Sequence, residues 1–333
     1  MRVLLTGGTG TISRAVLARI LAEGHSLTVV NRGNREPLPD GAEHLVGDVR
    51  DAGSLRSVLG GREFDAVVQF LAFGASDVER DLEVFAGRAG QYVLISSCST
   101  YLKPLPHHVV TESSPQGNPY SQYARDKIAC EEVLRSSGGE VPWTIVRPSH
   151  TYGERTIPTN FHFGNPWAQW QRVLDGRPVV VHGDGESLWT FTWNEDFAVG
   201  LVGLLGNADA LGRAVHITSD ESITWNNAFT TVAEVIGAAD RLEMVHVPSD
   251  TLGALRPDLE AALLGDKAST IVFDNSLVKS LVPAFDARVT WADGVARAWE
   301  WMQAHPDARR PDADYDAFCD DVIARVRAWH AQP

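Results

Sequence analysis

Thr6-Gly7-Gly8-Thr9-Gly10-Thr11-Ile12-Ser13 stands directly after the apolar run Val3–Leu5 and opens a stretch, Ser13–Ala22, whose helical periodicity ends at Gly24. Strand, glycine turn and helix in immediate succession build an anion site. Glycine at 7 permits the tight turn, and Gly10 lets the backbone approach a pyrophosphate. The helix N-terminus then offers free N–H groups and positive partial charge. A dinucleotide fingerprint wants a third glycine for close packing of helix on strand, and here that position is Ser13. A glycine-rich turn also simply terminates elements. It is the strand–turn–helix setting that points to a bound dinucleotide.

Outward from that turn, short apolar runs recur at Leu27–Val30, His44–Val46, Ala66–Leu71, Tyr92–Ile95 and Thr144–Val146, with helical stretches between. Such runs imply a parallel sheet covered on both faces, and their alternation with helices implies an α/β, doubly wound (Rossmann) fold over residues 1–160. Residues 161–333 read as a smaller, mostly helical C-terminal substrate lobe, with 190–220 a segment that the sheet's core can recruit. Helices are expected at Pro166–Leu174, Asn194–Leu205, Trp225–Ile236, Trp291–Ala304 and Asp314–Trp329, and strands at Pro178–His182 and Ala214–Thr218. All ten tryptophans lie at or after Trp143. No linker parts the lobes.

At 333 residues the chain exceeds what one core usually serves. Its formal charge of −14 repels phosphate backbones and anionic lipid, so neither nucleic acid nor membrane is an expected partner. Cys98, Cys130 and Cys319 are far apart and lack metal-ligand spacing, which fits a reducing compartment. His107, His108 and His162 suggest no metal either. There is no apolar run of about 18 residues and no signal-peptide pattern, so a cytoplasmic location is expected.

The end of the second strand bears on cofactor choice. A carboxylate there would hold the ribose hydroxyls. This chain has Asn31-Arg32-Gly33-Asn34-Arg35 instead. Arginine is a natural fork for a 2′-phosphate, so NAD or NADP is expected, with NADP favoured by Asn31-Arg32. The same residues are also good turn chemistry. Asp48, in Gly47-Asp48-Val49 after the third strand, is placed to accept from an adenine amino group. Tyr123 and Lys127, four residues apart on a helix, share one face. An ammonium beside a phenol favours the phenolate, so Tyr123 is expected to work as acid or base near neutrality.

The glycine turn, Gly47-Asp48, Ile95-Ser96-Ser97-Cys98-Ser99-Thr100-Tyr101, Tyr123-Ala124-Arg125-Asp126-Lys127 and Arg147-Pro148 follow one another in this order. In that, the chain resembles the extended short-chain dehydrogenase/reductases, the NAD-dependent epimerase/dehydratase family, from residue 1 to about 205. The resemblance implies hydride transfer at a hydroxyl carbon, with Tyr123, Lys127 and Ser97 catalytic. Ser97 would hold the substrate oxygen, although a serine at a strand end is also an ordinary cap. The implied cofactor contacts are Gly7, Thr9, Gly10, Thr11, Ile12, Asn31, Arg32, Asp48, Val49, Leu71, Ala72, Tyr123, Lys127, Pro148 and His150. The implied substrate contacts are Phe73, Ser99, Tyr152, Arg155 and Trp189. The implied partner is a small-molecule substrate, a nucleotide sugar being one candidate, and the implied assembly is a homodimer.

Three departures narrow the chemistry. Dehydratases of this kind carry an Asp-Glu pair after the catalytic hydroxyl, where this chain has Cys98-Ser99, so epimerisation is favoured over dehydration. An asparagine that commonly follows the Arg-Pro pair is replaced by His150. A later family arginine that grips a substrate diphosphate is replaced by Trp189, which removes a bidentate anion contact. Arg155, Arg172 or Arg177 could take its place, although each reads first as an ordinary surface arginine, and Trp189 and Trp193 could line an aromatic pocket or equally pack under the lobe. Two alternatives to a sugar-nucleotide epimerase stand: an NADP-dependent reductase or dehydrogenase on a non-nucleotide substrate, and a non-catalytic cofactor-sensing or RNA-associated relative.

Overall fold

The computed structural model describes residues 1–34, 37–159, 161 and 165–331, so Arg35 and His162 lie outside the described residues. Its centre is a seven-stranded sheet of β1 (Arg2–Thr6), β2 (Ser26–Asn31), β3 (Ala42–Val46), β4 (Ala66–Gln69), β5 (Tyr92–Ile95), β6 (Trp143–Pro148) and β7 (Arg213–Ile217). Their order in space is β7-β6-β5-β4-β1-β2-β3, and every neighbouring pair is parallel. The order reverses between β1 and β4. There the following loops part and open a crevice at the carboxyl ends of the strands.

Side-chain alternation along the strands explains the layers. Val3, Leu5, Val29, Val68 and Val93 face helices α1 (Thr11–Ala22) and α5 (Asn194–Leu204), meeting Val16, Ile20, Leu201 and Val202. Leu4, Val30, Val67, Leu94 and Ile145 face α2 (Ala52–Leu59), α3 (Ala75–Phe85) and α4 (Gln122–Ser136), meeting Leu55, Val78, Phe85, Cys130 and Leu134. A strand buried on both faces has no polar side to show, hence the unbroken apolar runs. Truncating Leu4, which is fully buried, to alanine costs about 2–5 kcal/mol. β7 and α5 come from the second half of the sequence yet complete the sheet's edge and cover one face.

Among the expected elements, Pro166–Leu174 and Trp291–Ala304 have the bounds read from sequence. β4 is shorter than Ala66–Leu71. Past Gln69 the amides of Phe70 and Leu71 turn away from the ladder to Thr6 Oγ1 (3.0 Å) and Gln69 Oε1 (2.7 Å). The tryptophan-rich texture of the C-terminal half is a core: Trp170, Trp225, Trp291, Tyr152 and Phe191 pack together, with Phe191 and Trp291 stacked at 4.3 Å. Of two short parallel pairs, Val179–His182 with Met244–Val247 lies within this lobe, and His150–Tyr152 with Phe191–Trp193 joins it to the end of β6. Among the described residues no helix is long and apolar enough to cross a membrane, and no cluster of side chains suits a metal ion.

Candidate active site

A cavity of about 780 Å3 runs along the carboxyl ends of the strands. One end is the glycine turn. Gly7 and Gly8 have φ of 102° and 92°, and a Cβ on Gly8 would meet Val29 Cγ1 at 3.0 Å. α1 begins without a capping side chain and without an acidic residue in its first turn. Its first amides are therefore left for an anion. Ser13, the departure from the glycine fingerprint, is buried and local: its Oγ accepts from Gly10 N at 2.9 Å and donates to Gly10 O at 3.3 Å. A small hydroxyl thus fits where a third glycine was expected. Gly7, Thr9, Gly10, Thr11 and Ile12 all line the cavity, which is the cradle a pyrophosphate needs.

Asn31, Arg32, Asp48 and Val49 line the same cavity beyond the turn. Asn31 is committed to the backbone: Nδ2 donates to Gly7 O at 2.9 Å and Oδ1 accepts from Gly33 N at 2.8 Å. It holds β2's end against the glycine turn. Arg32 is exposed and engages no side chain among the described residues.

Catalytic candidates meet toward the other end. Ser121 caps α4, its Oγ accepting from Ala124 N at 3.2 Å, and so fixes the first turn that carries Tyr123. One turn on, Lys127 is 2% exposed and donates to Ala72 O at 2.6 Å and Ile95 O at 2.8 Å. Its ammonium lies 5.7 Å from the centre of the Tyr123 ring and 4.8 Å from that of Phe73. Ser97, Ser99 and Tyr123 line the cavity. Ser97 Oγ accepts from Ser99 N at 3.1 Å and Ser99 Oγ at 2.9 Å, so it is a cap as well as a wall residue.

The loop that supplies Ala72 is held by a buried polar chain. Thr6 Oγ1 donates to Gln69 Oε1, Gln69 Nε2 donates to Asp81, and Tyr92 OH donates to the same carboxylate at 2.8 Å. Arg80 closes it with a 2.9 Å ion pair to Asp81. A second buried network lies beneath α4. Glu131 receives Arg147 Nη2 at 2.6 Å and Nε at 2.9 Å, with Ser96 Oγ at 2.6 Å. Arg147 is 1% exposed. It joins β6 to α4 and reaches no cavity wall.

Burial moves both members of the Tyr/Lys pair. It pulls the Lys127 ammonium down to about 8. The Tyr123 residue is 45% exposed, yet desolvation at its phenol pushes the group above its ordinary value, opposed in part by the nearby Ser97 hydroxyl and reinforced by the Asp266 carboxylate. The expected depression of the phenol by Lys127 is therefore corrected: that ammonium is turned onto two carbonyls and buried.

The far wall was not legible in sequence. The turn Leu263–Lys267 has π-type hydrogen bonding and brings Asp266 and Lys267 to the cavity beside Trp189 and His150. His150 Nε2 lies 3.0 Å from Asp266 Oδ2, and its ring sits edge-on to Trp189 at 5.1 Å. Gly265 permits the close approach, since a Cβ there would stand 3.2 Å from Asn118 Oδ1 and Tyr120 Cβ. The one sequence signal was Gly265-Asp266-Lys267 interrupting the apolar Ala261–Leu264.

Other assigned residues fall as follows. Leu71, Pro148, His150 and Trp189 line the cavity, His150 at its Asp266 end. Ala72 acts through its carbonyl and Phe73 through its ring over Lys127, outside the lining. Tyr152 is corrected: it is fully buried against Trp193 and Trp291 at 5.2 Å each and lines nothing. Arg155 and Trp193 border an adjoining groove of about 720 Å3 alongside α1, which shares Thr9, Gly10, Thr11 and Thr156 with the cavity, the guanidinium 5.4 Å from the Trp301 ring centre. Neither is in the lining of the cavity itself. Arg172 and Arg177 are not placed to take the diphosphate role. They bind Asp316 and Asp320 of the last helix, Ala313–His330, at 2.7–3.1 Å and are absent from the cavity wall.

The family model described as the NAD dependent epimerase/dehydratase family matches residues 3–218. The chloroplast stem-loop binding protein of 41 kDa b from Arabidopsis thaliana is 28% identical over 263 residues, 74% of this chain, and the match spans 65% of that protein. The 2′-dehydrokanamycin reductase of Streptomyces kanamyceticus is 26% identical across 100% of this chain and 93% of its own length. Among solved structures, UDP-glucose 4-epimerase with UDP-glucose from Thermotoga maritima superposes with a TM-score of 0.72. At 16% identity, over 92% of this chain and 100% of that one, it shows a shared fold.

Proposed function

The chain belongs to the NAD dependent epimerase/dehydratase family, and we propose that it transfers hydride between NAD(P) and a hydroxyl-bearing carbon of a small molecule. The observation that carries this reading is that Ser97 and Tyr123 share the wall of a cavity whose other end is the glycine turn, with Lys127 buried behind Tyr123. When bound, NAD(P) takes or gives the hydride. Tyr123 takes or returns the hydroxyl proton while Ser97 holds the same oxygen. Two of the three Lys127 donors are on carbonyls, and the third would serve a ribose hydroxyl reaching in beside Tyr123, since Lys127 itself is buried just behind the cavity wall. Gly10, Thr11 and Ile12 hold the pyrophosphate, Asp48 the adenine, and Arg32 a 2′-phosphate.

Elimination is disfavoured. Cys98 stands where an acid would be needed, but its thiol is buried, donates to Arg147 O at 3.3 Å and is pushed well up by that burial. Epimerisation of a nucleotide sugar needs a grip on diphosphate. The engagement of Arg172 and Arg177 with Asp316 and Asp320 instead supports the second reading, NADP-dependent oxidation or reduction of a non-nucleotide molecule. The reductase relative that spans this whole chain is in keeping with that. Retention of Tyr123 and Lys127 speaks against a non-catalytic role. A homodimer is part of the proposal, although Leu134 is core and Val133 packs partly against it.

Tyr123→Phe is the test. It should abolish turnover with cofactor affinity within about twofold of the parent, because a lost hydrogen bond to a reacting group costs far more in the transition state than at rest. Undiminished turnover sinks the assignment. Mass spectrometry of dinucleotide released on denaturation separates the two readings: stoichiometric retained cofactor fits an epimerase, and an exchangeable one fits a reductase.

A further inference from the structure

The far wall of the cavity bears on what enters, given the hydride-transfer reading above. Lys267 is 4% exposed and Lys103, behind Trp189, is 3% exposed. Lys267 Nζ reaches Ala262 O at 3.4 Å and Asp266 Oδ2 at 3.5 Å, and Lys103 Nζ reaches Asp266 O at 3.4 Å. Two buried ammoniums thus bring six N–H donors to three contacts, each at the long edge of hydrogen bonding. Trp189 Nε1 in the same wall is buried and has no partner among the described residues. Trp170 Nε1 and Trp225 Nε1 are unpartnered too but lie off the cavity; Trp189 differs in sharing its wall with an under-bonded ammonium.

Charge points the same way. Asp266 is the one carboxylate acting on either lysine, and its own partners are Lys267 and His150, whose ring burial keeps neutral. Burial pulls both ammoniums down and Asp266 opposes that shift; as ammoniums, the two exceed the one carboxylate by a single positive charge. We propose that Lys267, with Trp189 in the same wall, receives one carboxylate of the substrate, so that the hydroxyl oxidised or reduced belongs to a sugar acid or other hydroxy acid. A neutral polyol would leave the donors and the charge unmet. A diphosphate would bring surplus negative charge against Asp266. A polyamine would meet two lysines.

The test is binding calorimetry on NAD-saturated protein titrated with D-glucuronate, D-glucose and UDP. Glucuronate should bind, with glucose and UDP weaker by about tenfold or more, the scale of one charge-assisted contact. Lys267→Met should weaken glucuronate by about tenfold or more, and Lys267→Arg should keep most of the affinity. No glucuronate binding, equal binding of glucose, tighter binding of UDP or an unaffected Met variant each overturns the proposal. If Lys267→Met no longer binds NAD, Trp189→Phe decides: unchanged glucuronate affinity there overturns it too. Because the readout is binding, glucuronate held through Lys267 without any NADH formation would leave this inference standing and remove the hydride-transfer reading.

Discussion

Glu131→Gln isolates the buried strut under α4, the helix that carries Tyr123 and Lys127. The carboxylate is wholly buried and accepts from Arg147, Ser96, Gln116 and Arg135. An amide of the same shape turns an NH2 onto one set of donors and leaves the Arg147 guanidinium uncompensated. Removing one partner of a buried ion pair costs about 3–5 kcal/mol. At about 2.1 cal/mol/K per residue a 333-residue chain has an unfolding entropy of about 0.7 kcal/mol/K, so each kcal/mol moves Tm by about 1.4 °C and a fall of about 4–7 °C is expected by calorimetry at pH 7. The pH dependence has a fixed sign. Burial pushes the Glu131 carboxyl up, but the hydrogen bonds and charge of Arg147 more than offset it and hold the group below its ordinary 4.5. A depressed carboxyl stabilises above its unfolded pKa and loses that contribution as pH falls through the folded value. The gap between parent and variant must therefore close in acid. Glu131→Leu combined with Arg147→Met should recover much of the loss, since apolar replacement of both partners is tolerated. A fall under about 3 °C, or a gap that persists unchanged to about pH 3, refutes the reasoning.

Arg32→Ala should lower preference for NADPH over NADH by about tenfold, from loss of a charge-assisted phosphate contact, as measured by fluorescence titration of both cofactors; an unchanged ratio removes Arg32 from the adenosine site. Gly8→Ala, at φ 92° with Val29 Cγ1 3.0 Å from the new Cβ, should destabilise the fold by about 1–3 kcal/mol in urea and weaken cofactor binding. Lys127 gives opposite signs in two assays. Its folded pKa of about 8 lies below the ordinary 10.5, so the unfolded chain holds more protons between these values and stability should rise with pH there, by up to about 3 kcal/mol. Over the same range NAD affinity should fall as the ammonium is lost, and Lys127→Met should flatten both trends.

What the sequence showed best was whatever depends on neighbours in the chain. The glycine turn, the apolar strands and the Tyr123/Lys127 spacing are local patterns, and each has its place in the fold for local reasons. Ser97 was reachable by order along the chain. Tyr152 and Arg155 follow the Arg147-Pro148 motif closely, yet pairing of His150–Tyr152 with Phe191–Trp193 turns Tyr152 into the lobe's aromatic core. That strand pairing spans about forty residues, and nothing local announces it. Asp266 and Lys267 stayed hidden for the same reason. Their importance comes from facing His150 and Trp189, which only the folded lobe brings near.

The Tyr/Lys pair shows how far spacing carries an electrostatic argument. Residues four apart do share a helical face, but a face does not say where a charge is spent. Lys127 Nζ is bonded to the carbonyls of Ala72 and Ile95, the first held in place by the Gln69–Asp81 chain, so its charge first steadies two strand ends. Tyr123 meanwhile keeps its proton, raised by burial and by Asp266 across the cavity. A neighbour that adds positive charge, or an oxyanion that draws Asp266's partners away from it, moves that phenol in opposite directions. Substrate charge and acid–base readiness are thus coupled through Asp266. Asp266→Asn should lower the Tyr123 pKa, and the alkaline limb of the kcat/KM profile should shift to lower pH; a limb that stays in place would mean the two ends of the cavity act independently.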